Sequence, residues 1–201
     1  MGISRGLKIA LIGILAVAQA HAGDLGGGSP AAPALELGYK FFNGPNVASS
    51  SKGNLQGSSA YVLLFRAENR RNVIRVHAAA QFEYASGSAP VTGPTASDAY
   101  TMYGASFLPG FYLYPFRDGR MQPFIGGSGI AGWYMMKLAN AYTQSLSFGY
   151  EIGAGVDMRF GGGGGRILRV RSAFTNHSAS LGGNTQGVTL NGFLISLGLP
   201  Y

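Results

Sequence analysis

Ser145 to Phe160 reads SLSFGYEIGAGVDMRF, and every even-numbered position in it is apolar. Leu146, Phe148, Tyr150, Ile152, Ala154, Val156, Met158 and Phe160 alternate with Ser145, Ser147, Gly149, Glu151, Gly153, Gly155, Asp157 and Arg159. A period of two belongs to a β-strand, whose successive side chains leave on opposite faces. Unbroken alternation from 145 to 160 exceeds the usual soluble strand and suits a tilted strand that crosses a membrane and continues past it. One face would then meet lipid, and the small or charged face a lumen.

The same pattern recurs along the chain. Ile74, Val76, Ala78, Ala80, Phe82 and Tyr84 oppose Arg75, His77, Ala79, Gln81 and Glu83. Leu35, Leu37, Tyr39 and Phe41 oppose Glu36, Gly38, Lys40 and Phe42, while Tyr61, Leu63 and Phe65 oppose Val62, Leu64 and Arg66. Leu168, Val170 and Phe174 oppose Arg169, Arg171 and Ala173. Tyr100 to Phe116 and Pro123 to Leu138 are rich in glycine and aromatics, but both parities carry apolar residues, so their facing stays open. With Val188 to Tyr201 the strand count reaches eight. The predicted fold is all-β: a transmembrane, antiparallel, up-and-down β-barrel over residues 34–201.

Composition agrees. Of 201 residues 46% are hydrophobic and only 11% charged, which is lean for a surface facing water. The chain has room for one domain, and its mature region has no apolar run near the eighteen or so residues that a membrane helix needs. Cysteine is absent. That excludes disulfides, lipoprotein anchoring and thiolate metal sites.

Arg5 and Lys8 precede an apolar run from Ile9 to Ala18 and then Ala20-His21-Ala22, the pattern of a signal peptide cleaved after residue 22. Residues 23–33, GDLGGGSPAAP, read as a flexible periplasmic lead-in. Removing Arg5 and Lys8 leaves thirteen basic against eight acidic residues, a net charge of +5. Export argues against nucleic acid as the partner of that excess.

Connectors give a separate test, since such barrels carry short turns on the periplasmic side and longer loops outside. The first, third, fifth and seventh are read as Asn43 to Gly57, Ser86 to Ala99, Ala139 to Thr143 and His177 to Gly187. The second, fourth and sixth are Asn69 to Asn72, Arg117 to Gln122 and Gly161 to Gly165. Both termini are therefore expected in the periplasm.

The chain ends FLISLGLPY, with Phe193, Ile195, Leu197 and Leu199 at every second position back from Tyr201. This resembles the C-terminal signal by which outer-membrane barrels are delivered to the barrel-assembly machinery, with Tyr201 in place of the usual Phe and an unusual Pro200 before it. Gln122 to Gly129 and Phe148 to Val156 are similar to a recurrent hairpin of small OmpA-like eight-stranded outer-membrane barrel domains. The resemblance extends from about residue 34 onward and implies location in the outer membrane, among its lipid and lipopolysaccharide. It implies no particular activity, because that family spans anchors, adhesins, small-solute proteins and lipid-modifying enzymes.

Motifs associated with chemistry are weak. Gly127-Ser128-Gly129-Ile130-Ala131-Gly132 matches G-x-G-x-x-G, but in a strand region without the βαβ unit that motif requires. Asn176-His177-Ser178-Ala179-Ser180 is similar to the His-x-Ser pair of lipid A 3-O-deacylases, yet His177 and Ser178 are adjacent and no acid follows Asp157. It is read instead as a polar outer loop. His77 is read as a luminal hydrogen-bonding residue, and no catalytic, cofactor or metal residue is assigned. Tyr39, Phe41, Tyr84, Tyr142, Phe160 and Tyr201 are read as interfacial girdles.

The polar faces combine into a predicted luminal ion-pair network of Glu36, Lys40, Arg66, Arg75, Glu83, Glu151, Asp157, Arg169 and Arg171. Closing the 161–165 turn with Phe160 opposite Arg166 sets Asp157 opposite Arg169. Closing the 69–72 turn the same way sets Arg66 opposite Arg75, with Glu36 as the nearest intervening acid. The expected function is non-enzymatic, in envelope structure or in surface interaction through the first, second and fourth outer loops, whose ligand stays unassigned. A narrow channel for small solutes or ions is the first alternative and a lipid A deacylase-like hydrolase the second.

Overall fold

The computed structural model describes residues 32–42, 59–68, 73–90, 97–116, 119–138, 141–160, 166–182 and 186–200. Nine strands appear among them: β1 Ala32–Phe42, β2 Ser59–Glu68, β3 Ile74–Pro90, β4 Ser97–Leu113, β5 Met121–Leu138, β6 Ala141–Phe160, β7 Arg166–Gly182, β8 Gln186–Thr189 and β9 Gly192–Pro200. Every pairing is antiparallel, and each strand follows its predecessor around the sheet. β9 pairs with both β7 and β1, which closes the sheet into a barrel.

β8 and β9 together make the eighth stave. Thr175 faces Gly192 and Ser178 faces Thr189, so one register runs through the break at Leu190 and Asn191. At the break Leu190 N donates to His177 O, while His177 N donates to the Asn191 side-chain Oδ1 instead of a backbone carbonyl. The ladder is interrupted there without losing its count.

The barrel's tilt can be read from a single circuit. Ala32 pairs with Glu68, Glu68 with His77, His77 with Gly110, Gly110 with Ser128, Ser128 with Glu151, Glu151 with Thr175, and Thr175 with Gly192. Gly192 then pairs with Phe42, ten residues along β1 from the start. For eight staves such an offset corresponds to strands tilted by roughly 40° and an interior just wide enough for side chains to fill.

The two strands whose facing sequence left open are now fixed. Tyr100, Met102, Leu108, Tyr112 and Tyr114 on β4 and its end, and Phe124, Ile130, Tyr134 and Met136 on β5, all point inward and are buried. Their outward positions include Tyr103, Phe107, Phe111 and Ile125. Both parities are apolar because this side of the interior is itself apolar.

Connectors differ from the sequence reading. The end that holds Ala32 and Pro200 is called proximal here, and the other distal. At the distal end β3 runs to Pro90, β6 begins at Ala141 and β7 reaches Gly182, so the second and fourth distal connectors shrink to 91–96 and 183–185. Proximal connectors span 69–73, 114–120 and 161–165. Only 43–58 is long, and length no longer separates the two ends. The predicted loops were absorbed by strands that outrun a membrane: the 20 residues of β6 rise about 50 Å at that tilt, against an apolar band of about 25 Å. The predicted signal peptide, the lead-in up to residue 31 and Tyr201 lie outside the described residues.

Candidate functional site

Alternation puts polar side chains inside and apolar ones outside, and the exposures are inverted relative to a water-soluble protein. Glu36, Lys40, Arg66, Glu68, Arg75, Glu83, Glu151, Asp157, Arg169 and Arg171 are each at most 5% exposed. Outside, Leu37, Tyr61, Val76, Leu146, Phe148 and Phe174 are each more than 60% exposed. All nine predicted luminal residues are inward, joined by Glu68. Five are cations and five are anions, so among the described residues these buried charges balance.

Three groups can be followed along the axis. Nearest the proximal end, Asp157 accepts from Arg169 Nε at 2.7 Å and Nη2 at 2.9 Å, and from the Tyr114 hydroxyl at 2.9 Å. Arg169 Nη2 also meets Glu68 at 2.8 Å, and Arg75 pairs with Glu68 at 3.4 Å while stacking 3.6 Å from the Tyr114 ring centre. Asp157 and Arg169 are direct cross-strand partners.

At mid-height Glu36 gathers Arg66 Nε at 2.9 Å, Arg171 Nε at 3.2 Å and the Ser196 hydroxyl at 3.1 Å, with Arg169 Nη1 at 3.7 Å linking it to the group below. Arg171 Nη1 donates to Glu151 at 2.8 Å. His77 Nε2 lies 2.9 Å from Ser128 Oγ, which donates to Glu151 at 3.1 Å. That contact bridges β3 and β5 over β4, and it exists because residue 110 is glycine. A Cβ there would sit 2.6 Å from Ser128 Oγ and 2.8 Å from His77 Nε2.

Toward the distal end Lys40 lies 3.3 Å from Glu83, which also takes bonds from Tyr134 and Gln81. Lys40 Nζ is 2.8 Å from His177 Nε2, and Ser147 Oγ is 2.9 Å from His177 Nδ1. His177 is thus not in an outer loop, as sequence suggested, but 3% exposed inside the barrel. Its parity matches Arg169, Arg171 and Thr175, a signal present in the sequence. Ser178 faces outward and is exposed, so the adjacent pair is split across the wall.

The polarity of this group argues against catalysis. An ammonium can only donate, so His177 Nε2 accepts from Lys40 and the ring proton sits on Nδ1. Nδ1–H then donates to Ser147, whereas a general base would have to accept from that hydroxyl. The group is also covered at the distal end by Phe42, Tyr100, Met102, Tyr134, Met136 and Leu190, which are buried together. Tyr112, Tyr114 and Phe124 form a second apolar cluster toward the proximal end. Among the described residues no group of three or more His, Cys, Asp or Glu could hold a metal ion.

The hairpin β2–β3 corrects one predicted contact. Arg66 faces Ala79 and Glu68 faces His77, so Arg66 does not oppose Arg75. The strands are displaced by four residues from a flush closure, an even step that keeps every face and changes every partner. Outside, Tyr39, Tyr61, Tyr84 and Tyr103 are consecutive register partners on four neighbouring strands. Tyr39, Phe41, Tyr84, Tyr142 and Phe160 all lie on the outer face, where Tyr61 and Tyr103 join them.

No protein-family model matches the chain, and no curated protein matches it at a significant level. Among solved structures it is similar to Neisserial surface protein A, with 14% identity, 84% of this chain and 95% of that one covered, and a TM-score of 0.47. The outer membrane protein OprG from Pseudomonas aeruginosa is 11% identical, with 87% and 98% covered and a TM-score of 0.49. Ail, the attachment invasion locus protein of Yersinia pestis, is 11% identical, with 85% and 99% covered and a TM-score of 0.40.

Proposed function

We propose that the chain is a non-enzymatic outer-membrane barrel, with both termini in the periplasm and a role in envelope structure or surface interaction. One observation carries this reading: the barrel shows Leu, Phe, Tyr, Val and Ile to its surroundings while hiding ten charges inside. In water that arrangement would expose a large apolar surface and desolvate ions for no return. In lipid it satisfies every backbone group without an open edge. The surface for interaction is the distal extension of β3 to β6 and the long 43–58 connector, rather than the first, second and fourth outer loops.

The alternative of a narrow channel has one observation in its favour. Arg66 Nη1 and Nη2, Arg171 Nη2, Tyr112 Oη, His77 Nδ1 and Glu151 Oε2 are buried without a protein partner, and they cluster at mid-height. Such atoms favour a hydrated middle. The apolar clusters on either side of it favour a lumen that ions do not cross. Planar-bilayer recording of the full-length protein decides: no discrete steps are expected, and unitary conductance would promote the channel.

Membrane fractionation tests location, and N-terminal sequencing of the extracted protein tests cleavage before Gly23. Deleting Tyr201 should reduce the amount of barrel in the outer membrane without altering the unfolding of what arrives, the result expected if Phe193, Ile195, Leu197, Leu199 and Tyr201 serve the assembly machinery. The hydrolase reading predicts loss of a lipid A acyl chain on overexpression, absent in His177→Ala. The expected mass spectrum is unchanged lipid A in both.

A further inference from the structure

At the level of Glu36, three guanidinium groups meet one carboxylate. Arg66 Nε donates to Glu36 Oε1 at 2.9 Å, Arg171 Nε donates to Oε2 at 3.2 Å, and Arg169 Nη1 approaches Oε1 at 3.7 Å. Arg171 has a second acid in Glu151, and Arg169 has Asp157 and Glu68. Among the described residues Arg66 is paired with Glu36 alone, which it shares with both of the others. The balance of the whole lumen therefore hides a local excess of positive charge at Arg66.

The unused edge of this guanidinium decides what it can hold. Nη1 and Nη2 of Arg66 are both buried without a protein partner, as are Arg171 Nη2 and the Tyr112 hydroxyl. Because Glu36 is met through Nε, the end-on edge formed by Nη1 and Nη2 is directed past that carboxylate, and such an edge grips an anion with two parallel bonds. The donors share one neighbourhood. The Arg66 guanidinium lies 5.0 Å from the Tyr112 ring centre and that of Arg169 5.5 Å from it, while His77 stacks on the same ring at 4.3 Å. Arg171 is within electrostatic reach of both Tyr112 and His77.

Composition selects the occupant. Guanidinium nitrogens only donate, whereas a water molecule must place two protons of its own. The unpartnered acceptors Glu151 Oε2 and Gln81 Oε1 stand at another level: Arg171 faces Gly155, on the proximal side of Glu151 along β6, and Arg66 faces Ala79, on the proximal side of Gln81 along β3. Of the unpartnered atoms, only His77 Nδ1 stands as an acceptor among the donors. A multivalent anion would outweigh the local excess, and a small monovalent one matches it.

We infer that the middle of the lumen is a binding site for a small monovalent anion of halide size, held on Nη1 and Nη2 of Arg66 with Arg171 Nη2 and the Tyr112 hydroxyl beside it. The apolar clusters on either side bar its exchange, so the anion is enclosed as β9 pairs with β1 and becomes part of the core. This enclosure rests on the closed-lumen reading above.

Bromide is the probe. The full-length protein folded in detergent micelles in sodium gluconate, whose anion is too bulky for the site, is compared with protein folded in sodium bromide at equal ionic strength. The urea midpoint should rise with the logarithm of bromide concentration, as for a ligand bound only by the folded state. After transfer to gluconate, bromide equimolar with the chain should stay with the folded protein and leave on unfolding, read by elemental mass spectrometry. Arg66→Gln should lose both effects. Tyr112→Phe keeps the ring contacts and removes only the hydroxyl; it should need several-fold more bromide for the same shift, and it carries the test if Arg66→Gln does not fold. A midpoint indifferent to bromide, with none retained, would overturn the site and leave a lumen filled by water. Retention and midpoint unchanged in both variants would overturn its placement at Arg66. A bromide-dependent midpoint without retention would uphold the site and overturn the closed lumen.

Discussion

The hairpins β2–β3 and β6–β7 are closed by connectors of equal span, 69–73 and 161–165, yet they solve opposite electrostatic problems. β6–β7 pairs flush from Phe160 with Arg166, which brings Asp157 against Arg169. A β2–β3 hairpin closed tightly over 69–72, with Glu68 opposite Val73, would bring Arg66 against Arg75, and direct like-charge opposition across a sheet destabilises. Here the strands slide by four, Arg66 turns to Glu36 on β1, and Arg75 turns to Glu68. A charge that has a partner on the adjacent strand fixes its hairpin locally. Arg66, whose partner lies on the strand before its hairpin, is satisfied once β1 has paired with β2, and only contacts such as Glu36 with Arg171 wait until the barrel has closed.

Variants can separate these two ways of holding a charge, the largest effect coming first. Glu36→Ala removes the shared acceptor of Arg66, Arg171 and Ser196, taking the anion from buried Arg66 and leaving Arg171 with Glu151 alone. Breaking a buried pair on one side typically costs about 3 to 5 kcal/mol, and this variant should reach the top of that range or fail to assemble. Urea unfolding in detergent micelles would show it as the lowest midpoint of the series.

Asp157→Ala breaks only the local pair. Its loss should be clear but smaller than that of Glu36→Ala, at about 3 kcal/mol, and Asp157→Asn should recover part of it by keeping acceptors for Arg169 and Tyr114. If Asp157→Ala unfolded at the wild-type midpoint, the proximal lumen would have to be watery, and the local pair would not distinguish this hairpin.

Arg75→Gln comes third. Its ion pair is long at 3.4 Å, and much of its contact is the stacking on Tyr114, so about 1 to 2 kcal/mol is expected from the same measurement. Lys137→Gln removes an exposed cation set 5.5 Å from the Tyr142 ring, and should change the midpoint by less than about 1 kcal/mol. A larger loss there than in Arg75→Gln would invert the ranking of inside over outside on which the comparison stands.

The faces of β1, β2, β3, β6 and β7 were legible in the sequence because lipid and lumen impose opposite polarity at a period of two. β4 and β5 were not, since Tyr112 and Phe124 point into an interior as apolar as the exterior that Phe111 and Ile125 meet. Partners were harder than faces. Alternation is blind to an even displacement, so it placed Arg66 and Arg75 inside but could not say that Ala79 faces Arg66. Glu68 went unassigned beside a turn whose width the pattern does not encode. His177 was lost by ending β7 too soon, although its odd number already set it on the side of Arg169 and Arg171.

The four-residue slide also sets the bore of the barrel. Register in a closed ring is a shared quantity, because the offsets of all hairpins add up before the sheet meets itself. Were β2–β3 flush, the circuit that begins at Ala32 would come home at Gly38 instead of Phe42, six residues on instead of ten. Less stagger means steeper strands and a tighter cylinder, smaller by roughly 1 Å in radius for eight staves at ordinary strand spacing. Five large cationic side chains could not share that cross-section with Tyr112 and Tyr114. Separating two arginines at one turn thus makes the room that all the luminal charges occupy.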